Sequence, residues 1–288
     1  MTPEPQAERG LTKVLAFLAD ERGVDFRDYR PAMIERRLAA RLAATGALDV
    51  DAYLARLTAD PDEADRLIAA LVVRVTGFFR DPAVFDALEA SVVPGLLASL
   101  GAQGTLRAWV AGTATGEEAY SLAMLLGRAV EARPGASFDV IASDIDAAAL
   151  ETARLGCYAR EAAEAVPEPL RGRFLEPDPD APGAAAGVRV VASLRDRIRF
   201  ARHDLMGPRL APREAVMADF HVVFCRNVLI YFTRQLQGRA FERFAAALSP
   251  GGILVLGGAE SVPESARASF AVVDPALRIY RRREGGEA

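Results

Sequence analysis

The chain has little of the chemistry on which most metal sites and nucleophilic sites depend. It contains two cysteines, two histidines and one tryptophan in 288 residues. Two cysteines are too few for a disulfide framework or a cysteine-based zinc site. His203 and His221 alone leave little for a histidine metal cluster or a histidine-dependent triad. We therefore expect a cytoplasmic protein without a metal centre.

Long apolar runs and an excess of basic charge are also missing. No stretch reaches the roughly 18 consecutive apolar residues that span a bilayer, and the first ten residues lack the apolar core of a signal peptide. The net charge of −4 argues against a dedicated nucleic-acid binder. With 51% hydrophobic and 26% charged residues, the composition is that of a globular protein of one large or two modest domains. We expect a monomer with no nucleic-acid partner and no membrane insertion.

Two regions of different periodicity follow each other along the chain. Residues 10–72 carry apolar side chains at helical spacing and predict about four helices, one of which begins at Pro31 and ends near Gly46. From residue 104, apolar runs that predict strands alternate with helical segments at about 117–131, 147–155 and 233–248. The runs are Leu106–Val110, Phe138–Ala142, Phe220–Phe224, Ile253–Leu256 and a terminal Ala276–Arg281. This alternation predicts an α/β fold with a mostly parallel sheet.

The stretch 177–187 is rich in the turn-forming residues Pro, Gly and Asp, and the β-like segments Val188–Val191 and Ile198–Phe200 follow it. Two interpretations remain open here. The segments form a small hairpin appended to the main sheet, or they belong to a long surface loop.

The most informative motif joins the first predicted strand to the helix after it. Trp109–Ala123 reads WVAGTATGEEAYSLA, and its glycines, Gly112 and Gly116, allow a tight turn and a close approach to a ligand. Such turns lie at the carboxyl edge of an α/β sheet, where ligands bind. Glu117 and Glu118 come next, whereas a pyrophosphate site needs free N–H groups without competing carboxylates. The acidic pair favours a ligand with a positive end, such as S-adenosylmethionine, over a nicotinamide cofactor.

Further polar side chains occur at strand ends and between the two regions. Asp144 ends the second strand and is positioned for a nucleoside ribose, while Asp146 is interpreted mainly as the N-cap of the next helix. Asn227 ends the fourth strand, and Tyr231 could share a helix face with it. A buried aromatic with its hydroxyl bonded to backbone is the other interpretation of Tyr231. Arg80, taken alone, fits a surface salt bridge.

Five segments, in order, resemble signatures of the chemotaxis receptor methyltransferases of the CheR type. They are Thr76–Pro82, Gly112–Ser121, Ala142–Asp146, Phe224–Phe232 and Leu256–Ser261. One such match is weak, whereas five collinear matches over nearly the whole chain are specific. The resemblance implies a helical substrate-recognition domain over 1–73, a linker that contributes to the cofactor site over 74–90, and a methyltransferase domain over 91–288. That last domain is a class I S-adenosylmethionine-dependent, Rossmann-like fold with a mostly parallel seven-stranded sheet and a β-subdomain insertion at about 176–200.

The same resemblance implies roles for individual residues. Arg80 and Tyr231 match the catalytic pair nearest the transferred methyl group and its acceptor. Arg37 and Arg41 match basic positions thought to face the acidic, helical methylation region of the receptor, although their spacing equally fits a solvated stripe. The positions that match cofactor contacts are Arg74, Thr76, Arg80, Gly112, Glu118, Asp144, Asp204, Leu205, Asn227 and Val228.

The chain departs from the family pattern at several of these positions. Arg74 stands where the family usually has Asn, and it adds a bulky cation near a cationic cofactor. Thr113 and Ala114 replace the usual Cys-Ser, and Ala119 replaces Pro. Asp204 stands where Asn is common, and its carboxylate could still accept a hydrogen bond from the adenine amino group.

The activity implied is methyl transfer from S-adenosylmethionine to glutamate side chains of methyl-accepting chemotaxis receptors, with S-adenosylhomocysteine as the other product. A glutamate with a pKa of about 4.3 is already ionised at neutral pH, so no general base is needed. The partner implied is the receptor's cytoplasmic helical region, and a receptor C-terminal tethering peptide bound by the insertion stays open. Two alternatives also stay open: methylation of another protein or small-molecule carboxylate, and a catalytically weak cofactor-sensing scaffold.

Overall fold

In a computed structural model of the chain, the structure describes residues 6–101, 103–178, 187–215 and 219–284. The first part is a bundle of four helices, as the periodicity predicts. These are α1 (Gln6–Arg22), α2 (Pro31–Thr45), α3 (Val50–Ala59) and α4 (Pro61–Leu71). Gly46 ends α2 in the left-handed conformation with φ +68°, and the side chains of Asp49 and Asp60 cap the next two helices.

The second part alternates strands and helices. Its helices are α5 (Pro82–Ala87), α6 (Val93–Ser99), α7 (Glu117–Glu131), α8 (Ala147–Leu155), α9 (Glu168–Phe174), α10 (Ala192–Arg195) and α11 (Arg234–Ala247). Its strands are β1 (Thr105–Ala111), β2 (Ser137–Asp144), β3 (Cys157–Tyr158), β4 (Leu175–Asp178), β5 (Gly187–Val190), β6 (Ile198–Arg202), β7 (Phe220–Cys225), β8 (Leu248–Leu256), β9 (Phe270–Asp274) and β10 (Ile279–Arg282). Each apolar run predicted to be a strand overlaps an observed one.

Seven of these strands form one sheet in the order β6-β2-β1-β7-β8-β10-β9. The first five run parallel, and β10 pairs antiparallel with both β8 and β9. The predicted mostly parallel seven-stranded sheet is therefore confirmed. The chain moves outward from β1 to β2 and β6 and then returns to β7 on the other side of β1. In α/β sheets this switch point is where ligands bind.

The hairpin interpretation of the insertion is wrong. Gly187–Val190 pairs antiparallel with Cys157–Tyr158 and with Leu175–Asp178 in a separate three-stranded sheet. Ile198–Arg202, by contrast, pairs in parallel with β2 in the main sheet. The two β-like segments thus belong to different sheets. Most of the turn-rich stretch 177–187 lies outside the described residues.

Apolar packing joins the helical bundle to one face of the main sheet. Buried residues of α1 to α4 belong to the same hydrophobic cluster as Trp109, Phe220 and the inner side of α11. Phe26, Tyr29 and Phe232 form successive edge-to-face ring contacts with centroids 4.8 Å apart. Burial of each large side chain contributes about 1.5–3 kcal/mol. The helical bundle is therefore fixed against the sheet beside the switch point.

The other face of the sheet is covered by a segment that runs from Pro82 to Ser99. By length and composition this segment could cross a membrane, a weak criterion that core helices of soluble proteins also meet. Its apolar residues Val84, Phe85, Leu88 and Val93 are buried in the second hydrophobic cluster of the protein. In this structure the segment packs these apolar residues into the core, and 39% of it is buried.

Candidate functional site

A cavity of about 320 Å³ lies between the helical bundle and the carboxyl ends of β1, β2 and β7. Its volume lies within the range of about 300–1,000 Å³ that is typical of small-molecule sites. It coincides with the switch point of the strand order. Nine of the predicted site residues line it, namely Thr76, Arg80, Gly112, Glu118, Asp144, Leu205, Asn227, Val228 and Tyr231.

The glycine turn after β1 forms one wall of this cavity. Gly112 has φ +77°, and a Cβ atom placed there would lie 2.4 Å from Cγ2 of Val228. The N–H groups of Gly112 and Thr113 both donate to the carbonyl of Ser143, at 2.8 and 3.0 Å. These bonds fix the turn to the end of β2. Glycine is favoured at 112, because a side chain there would be strained by the positive φ and would have to displace the Val228 side chain.

Asp144 ends β2 with both carboxylate oxygens accepting backbone N–H groups. Ala114 donates to Oδ2 at 2.8 Å and Asp146 donates to Oδ1 at 2.9 Å. Burial raises the pKa of Asp144, and these hydrogen bonds oppose that rise. The next acidic residue, Asp146, caps α8 by accepting from Ala148 and Ala149. The predicted capping role of Asp146 is confirmed, and Asp144 lines the cavity.

Glu118 lies in the first turn of α7 and is almost fully buried. Its Oε1 accepts a hydrogen bond from Nη1 of Arg226. Burial raises the pKa of Glu118, while the charges of Arg226 and Arg80 oppose that rise. Glu117, its neighbour, accepts instead from the hydroxyl of Thr115 at 2.7 Å and does not line the cavity.

Arg80 and Tyr231 approach the cavity from the linker and from the loop after β7. Nη1 of Arg80 donates to the carbonyl of Val75 at 2.9 Å. The Tyr231 carbonyl accepts from the N–H of Arg30 at 2.9 Å, which ties this loop to the helical bundle. Burial raises the pKa of Tyr231, and the positive charges of Arg37 and Arg80 oppose that rise.

One buried carboxylate, that of Glu260, shapes the loop that carries Asn227 and Tyr231. Its Oε2 accepts from the N–H groups of Gly257 and Asn227 at 2.7 and 3.0 Å, and its Oε1 accepts from Leu229 at 2.7 Å. Asn227 adopts φ +59°, a conformation uncommon for a residue with a side chain. Glu260 therefore holds a strained loop in the shape that brings Asn227 and Val228 to the cavity.

Four predicted site residues do not line the cavity. Arg74 pairs with Asp146 at the start of α8, so its cation is directed to a carboxylate. Asp204 follows the cavity-lining His203 and accepts from the N–H of Met206 at 2.8 Å. Arg37 and Arg41 lie in a shallow hollow on the bundle, which Arg66 and Arg74 also line.

The two arginines of α2 are engaged within the bundle. Arg37 donates to the carbonyls of Ala70 and Val72, at 2.6 and 3.0 Å, just where α4 ends. Arg41 makes a bidentate ion pair with the fully buried Glu63, with N–O distances of 2.7 and 2.6 Å. Arg37 and Arg41, which are predicted to face the receptor, therefore also stabilise the helical bundle through these contacts.

Sequence reasoning missed four residues that shape the site: Tyr29, His203, Arg226 and Glu260. Arg226 and Glu260 lie within segments that carried the family resemblance, so their position in those motifs was the available signal. Tyr29 gave no local signal because its place depends on packing between regions distant in sequence. The imidazole of His203 is buried beside Trp109, and its Nε2 has no hydrogen-bond partner.

Within the described part of the chain, no group of three or more His, Cys, Asp or Glu residues could hold a metal ion. The charged groups at the cavity instead suit an organic ligand with positive and polar ends. Glu118 and Asp144 supply the carboxylates, and Leu205 and Val228 supply apolar surface.

Comparison with known proteins identifies the ligand. The family model described as CheR methyltransferase, SAM binding domain, matches residues 74–277, and the one described as CheR methyltransferase, all-alpha domain, matches residues 9–72. The chain belongs to the CheR methyltransferase family. S-adenosylmethionine is therefore the cofactor of this methyltransferase.

Individual relatives agree with the family. The chain is 31% identical to a chemotaxis protein methyltransferase of Listeria monocytogenes over 90% of this chain and 92% of the relative. It is 33% identical to a chemotaxis protein methyltransferase of Klebsiella aerogenes over 91% and 87%. An uncharacterized 104.1 kDa protein of Rhodobacter capsulatus is 35% identical over 96% of this chain, which spans only 28% of that relative.

Proposed function

We propose that this CheR family member methylates glutamate side chains of methyl-accepting chemotaxis receptors in the cytoplasm, acting as a monomer. The observation that carries the proposal is the meeting of Arg80 and Tyr231 at one cavity with Glu118 and Asp144. Two groups that can orient an acceptor carboxylate thus lie beside two groups that suit the cofactor. The relatives named as chemotaxis protein methyltransferases support the same substrate class.

The residues at the cavity fit S-adenosylmethionine by charge and by shape. Arg226 engages one oxygen of Glu118, which leaves the other oxygen for the cofactor's amino group. Asp144 keeps lone-pair capacity for the ribose hydroxyls, because its two oxygens have about four lone-pair sites and accept from the backbone N–H groups of Ala114, Asp146 and Ile145. Leu205 and Val228 provide apolar surface for the adenine ring.

The cavity suits an acceptor that needs no base. Bound S-adenosylmethionine supplies an electrophilic methyl group, which passes to a carboxylate oxygen as the carbon–sulfur bond breaks and its electron pair stays on sulfur. Burial and the nearby cations of Arg243 and Arg209 lower the pKa of His203 to about 4, which makes it a weak base. Arg80 and Tyr231 orient the acceptor, and such placement can contribute on the order of 7–11 kcal/mol.

The surface of α2 is the proposed contact for the receptor. Arg37 and Arg41 line a shallow hollow together with Arg66 and Arg74, so four guanidinium groups face one region of the surface. Part of this charge is already matched by Glu63, Asp60 and Asp146. An acidic helix would meet the remaining positive charge, which raises association rates more than affinity. We expect Arg37→Glu to raise KM for the receptor severalfold and to leave the cofactor Kd unchanged.

Methyl transfer to receptor-containing membranes tests the proposal directly. The purified protein is incubated with membranes and radiolabelled S-adenosylmethionine, and base-labile methyl groups are mapped to glutamate residues by mass spectrometry. Labelled glutamyl esters on receptors are expected. Label on another protein or on a small molecule would contradict the receptor assignment, and cofactor binding without any transfer would contradict catalysis.

The matched control for Arg37→Glu is Arg173→Glu on α9, an exposed arginine that is paired with Glu131 and does not line the cavity. Both variants change the net charge equally. If both raise KM for the receptor to the same extent, general electrostatics rather than the α2 surface explains the effect.

A further inference from the structure

Arg226 follows β7 directly and joins three separate parts of the chain at the cavity. Its guanidinium is buried, with a side chain only 1% exposed. Nη1 donates to the carbonyl of Arg80 at 3.0 Å and to Oε1 of Glu118, while Nη2 donates to Oδ2 of Asp81. One side chain thus contacts both the linker and the first turn of α7.

The segments that Arg226 joins contain strained backbone. Phe79 and Asp81 in the linker have φ +47° and +59°, and Asn227, the next residue after Arg226, has φ +59°. Residues with side chains persist in this conformation only where the surroundings fix them. Here the fixing contacts include the Arg226–Asp81 ion pair and the bond from the Phe79 N–H to Ser121 Oγ at 2.9 Å.

We propose that Arg226 is a positioning residue for methyl transfer, which orients Glu118 toward the cofactor's amino group and fixes Arg80 over the same cavity. This inference rests on the roles given to Glu118 and Arg80 under the proposed function. It couples recognition of the methyl donor to placement of the group that orients the acceptor. The planar fork of arginine suits this task because it binds several acceptors at fixed angles.

The coupling has a consequence for the pH dependence of cofactor binding. The charged groups that act on Glu118 are Arg226, Arg80 and Glu260, and Arg226 does most to oppose the rise in its pKa caused by burial. Without Arg226, Glu118 takes up a proton at a higher pH. A protonated Glu118 cannot pair with an ammonium group. As the pH is lowered, a protein without Arg226 should therefore lose affinity for the cofactor at a higher pH than the wild type does.

Calorimetric titration of S-adenosylmethionine between pH 5.5 and 8.5 tests this proposal on the wild type, R226Q, E118Q and the double variant. We expect each single variant to lose at least about tenfold in affinity at pH 7.5, since a hydrogen bond to a charged group is removed. The double variant should bind no more weakly than E118Q, because Arg226 acts through Glu118. The acid-side midpoint should rise in R226Q and vanish in both E118Q proteins.

Additive losses, or an unshifted midpoint in R226Q, would overturn the proposal. R173Q is the matched control, an arginine-to-glutamine change at an exposed ion pair, and should bind as the wild type does. The double variant removes both partners of the buried pair and so avoids the unpaired charge that could unfold R226Q.

The variant R226K tests the claim that Arg226 fixes Arg80 over the cavity. Lysine keeps the charge and loses the fork, so we expect kcat at saturating cofactor to fall at least about tenfold while the cofactor Kd changes less. An unchanged kcat would overturn the claim that Arg226 fixes Arg80. Wild-type affinity in E118Q would remove the role of Glu118 itself, which is a failure of the proposed function rather than of Arg226 alone.

Discussion

Two groups of arginines, one in the hollow on the bundle and one at the cavity, are used by the protein in different ways. In the hollow on the bundle, Arg41 and Arg74 are each paired with a carboxylate that is almost fully buried. At the cavity, Arg226 bonds to only one carboxylate oxygen of Glu118, and the other oxygen takes no part in this ion pair. Arg80 donates to a backbone carbonyl and, among the described residues, has no carboxylate within salt-bridge distance.

This difference shows that the function of an arginine is indicated by the group it pairs with, and not by its charge alone. An arginine whose bonds are satisfied by its own chain stabilises the fold, whereas a group with unused capacity beside a cavity can bind a ligand. Burial strengthens both effects, because an unpaired charge inside the protein is costly. The sequence shows the charges but not their partners.

The largest expected effect separates the two groups directly. Arg80→Met should lower kcat by about 10²–10³, since one charged group that orients the acceptor is lost, and should change the cofactor Kd by only a few fold. Arg66→Met in the hollow is the comparison variant: it should keep at least a third of the wild-type kcat, and any loss should fall on KM for the receptor. Steady-state kinetics with receptor membranes measures both. Equal losses in the two variants would remove the distinction between hollow and cavity.

Most of the fold could be predicted because apolar periodicity reports which faces are buried. Four of the five strands of the parallel core, β1, β2, β7 and β8, and the four bundle helices followed from that pattern. Strand β3, which has two residues, and strand β4, with its acidic and proline residues, carry no such pattern. The assignment of β5 and β6 to different sheets depends on contacts between distant segments, which periodicity does not record.

The candidate site could be predicted where polar groups that line the cavity lie at strand ends. Asp144 and Asn227 follow buried strands, and the glycine turn marks the first of them. Arg226 and Glu260 were missed because they act on neighbouring groups from within the protein. Their roles become visible only through the bonds they make across more than 30 residues of sequence.

The ion pair at the hollow should show its effect in stability rather than in catalysis. Glu63→Gln replaces a fully buried carboxylate, which accepts hydrogen bonds from Arg41 and Tyr53, with a neutral amide. We expect a loss of about 3 kcal/mol in the free energy of unfolding. Denaturant titration measures the loss, while kcat per folded molecule should stay constant. Glu89→Gln, which removes a half-exposed pair with Arg128, should cost less than about 1 kcal/mol.

The same pair predicts a pH dependence. Burial raises the pKa of Glu63, but the hydrogen bonds from Arg41 and Tyr53 outweigh it, so the folded-state pKa lies below the ordinary value of 4.5. A lowered carboxylate pKa gives stability that is present above the unfolded value and is lost as pH falls through the folded value. The stability of Glu63→Gln should therefore converge with that of the wild type in strong acid. A constant difference at every pH would contradict this assignment.

At the cavity, His203 should give a pH effect of the same sign as the Glu63 ion pair, but over a higher pH range. Its pKa is lowered to about 4 by burial and by Arg243 and Arg209, whereas the unfolded value is about 6.5. The unfolded chain therefore binds a proton that the folded protein excludes, and stability falls as pH drops from 6.5 towards 4. We expect this to cost up to about 2–3 kcal/mol. His203→Gln should remove that part of the pH dependence, and parallel stability curves would contradict the assignment.

The smallest effect compares one glycine at the cavity with one on the bundle. Gly112 and Gly46 have φ +77° and +68°, so alanine at either position costs about 1 kcal/mol of backbone strain. A Cβ at Gly46 would have no atom within 4 Å, whereas at Gly112 it would lie 2.4 Å from Val228 Cγ2. Gly112→Ala should therefore also weaken cofactor binding severalfold by calorimetry, while Gly46→Ala should lower only the free energy of unfolding. Unchanged affinity in Gly112→Ala would mean that Val228 can move aside and that this wall of the cavity does not contact the cofactor.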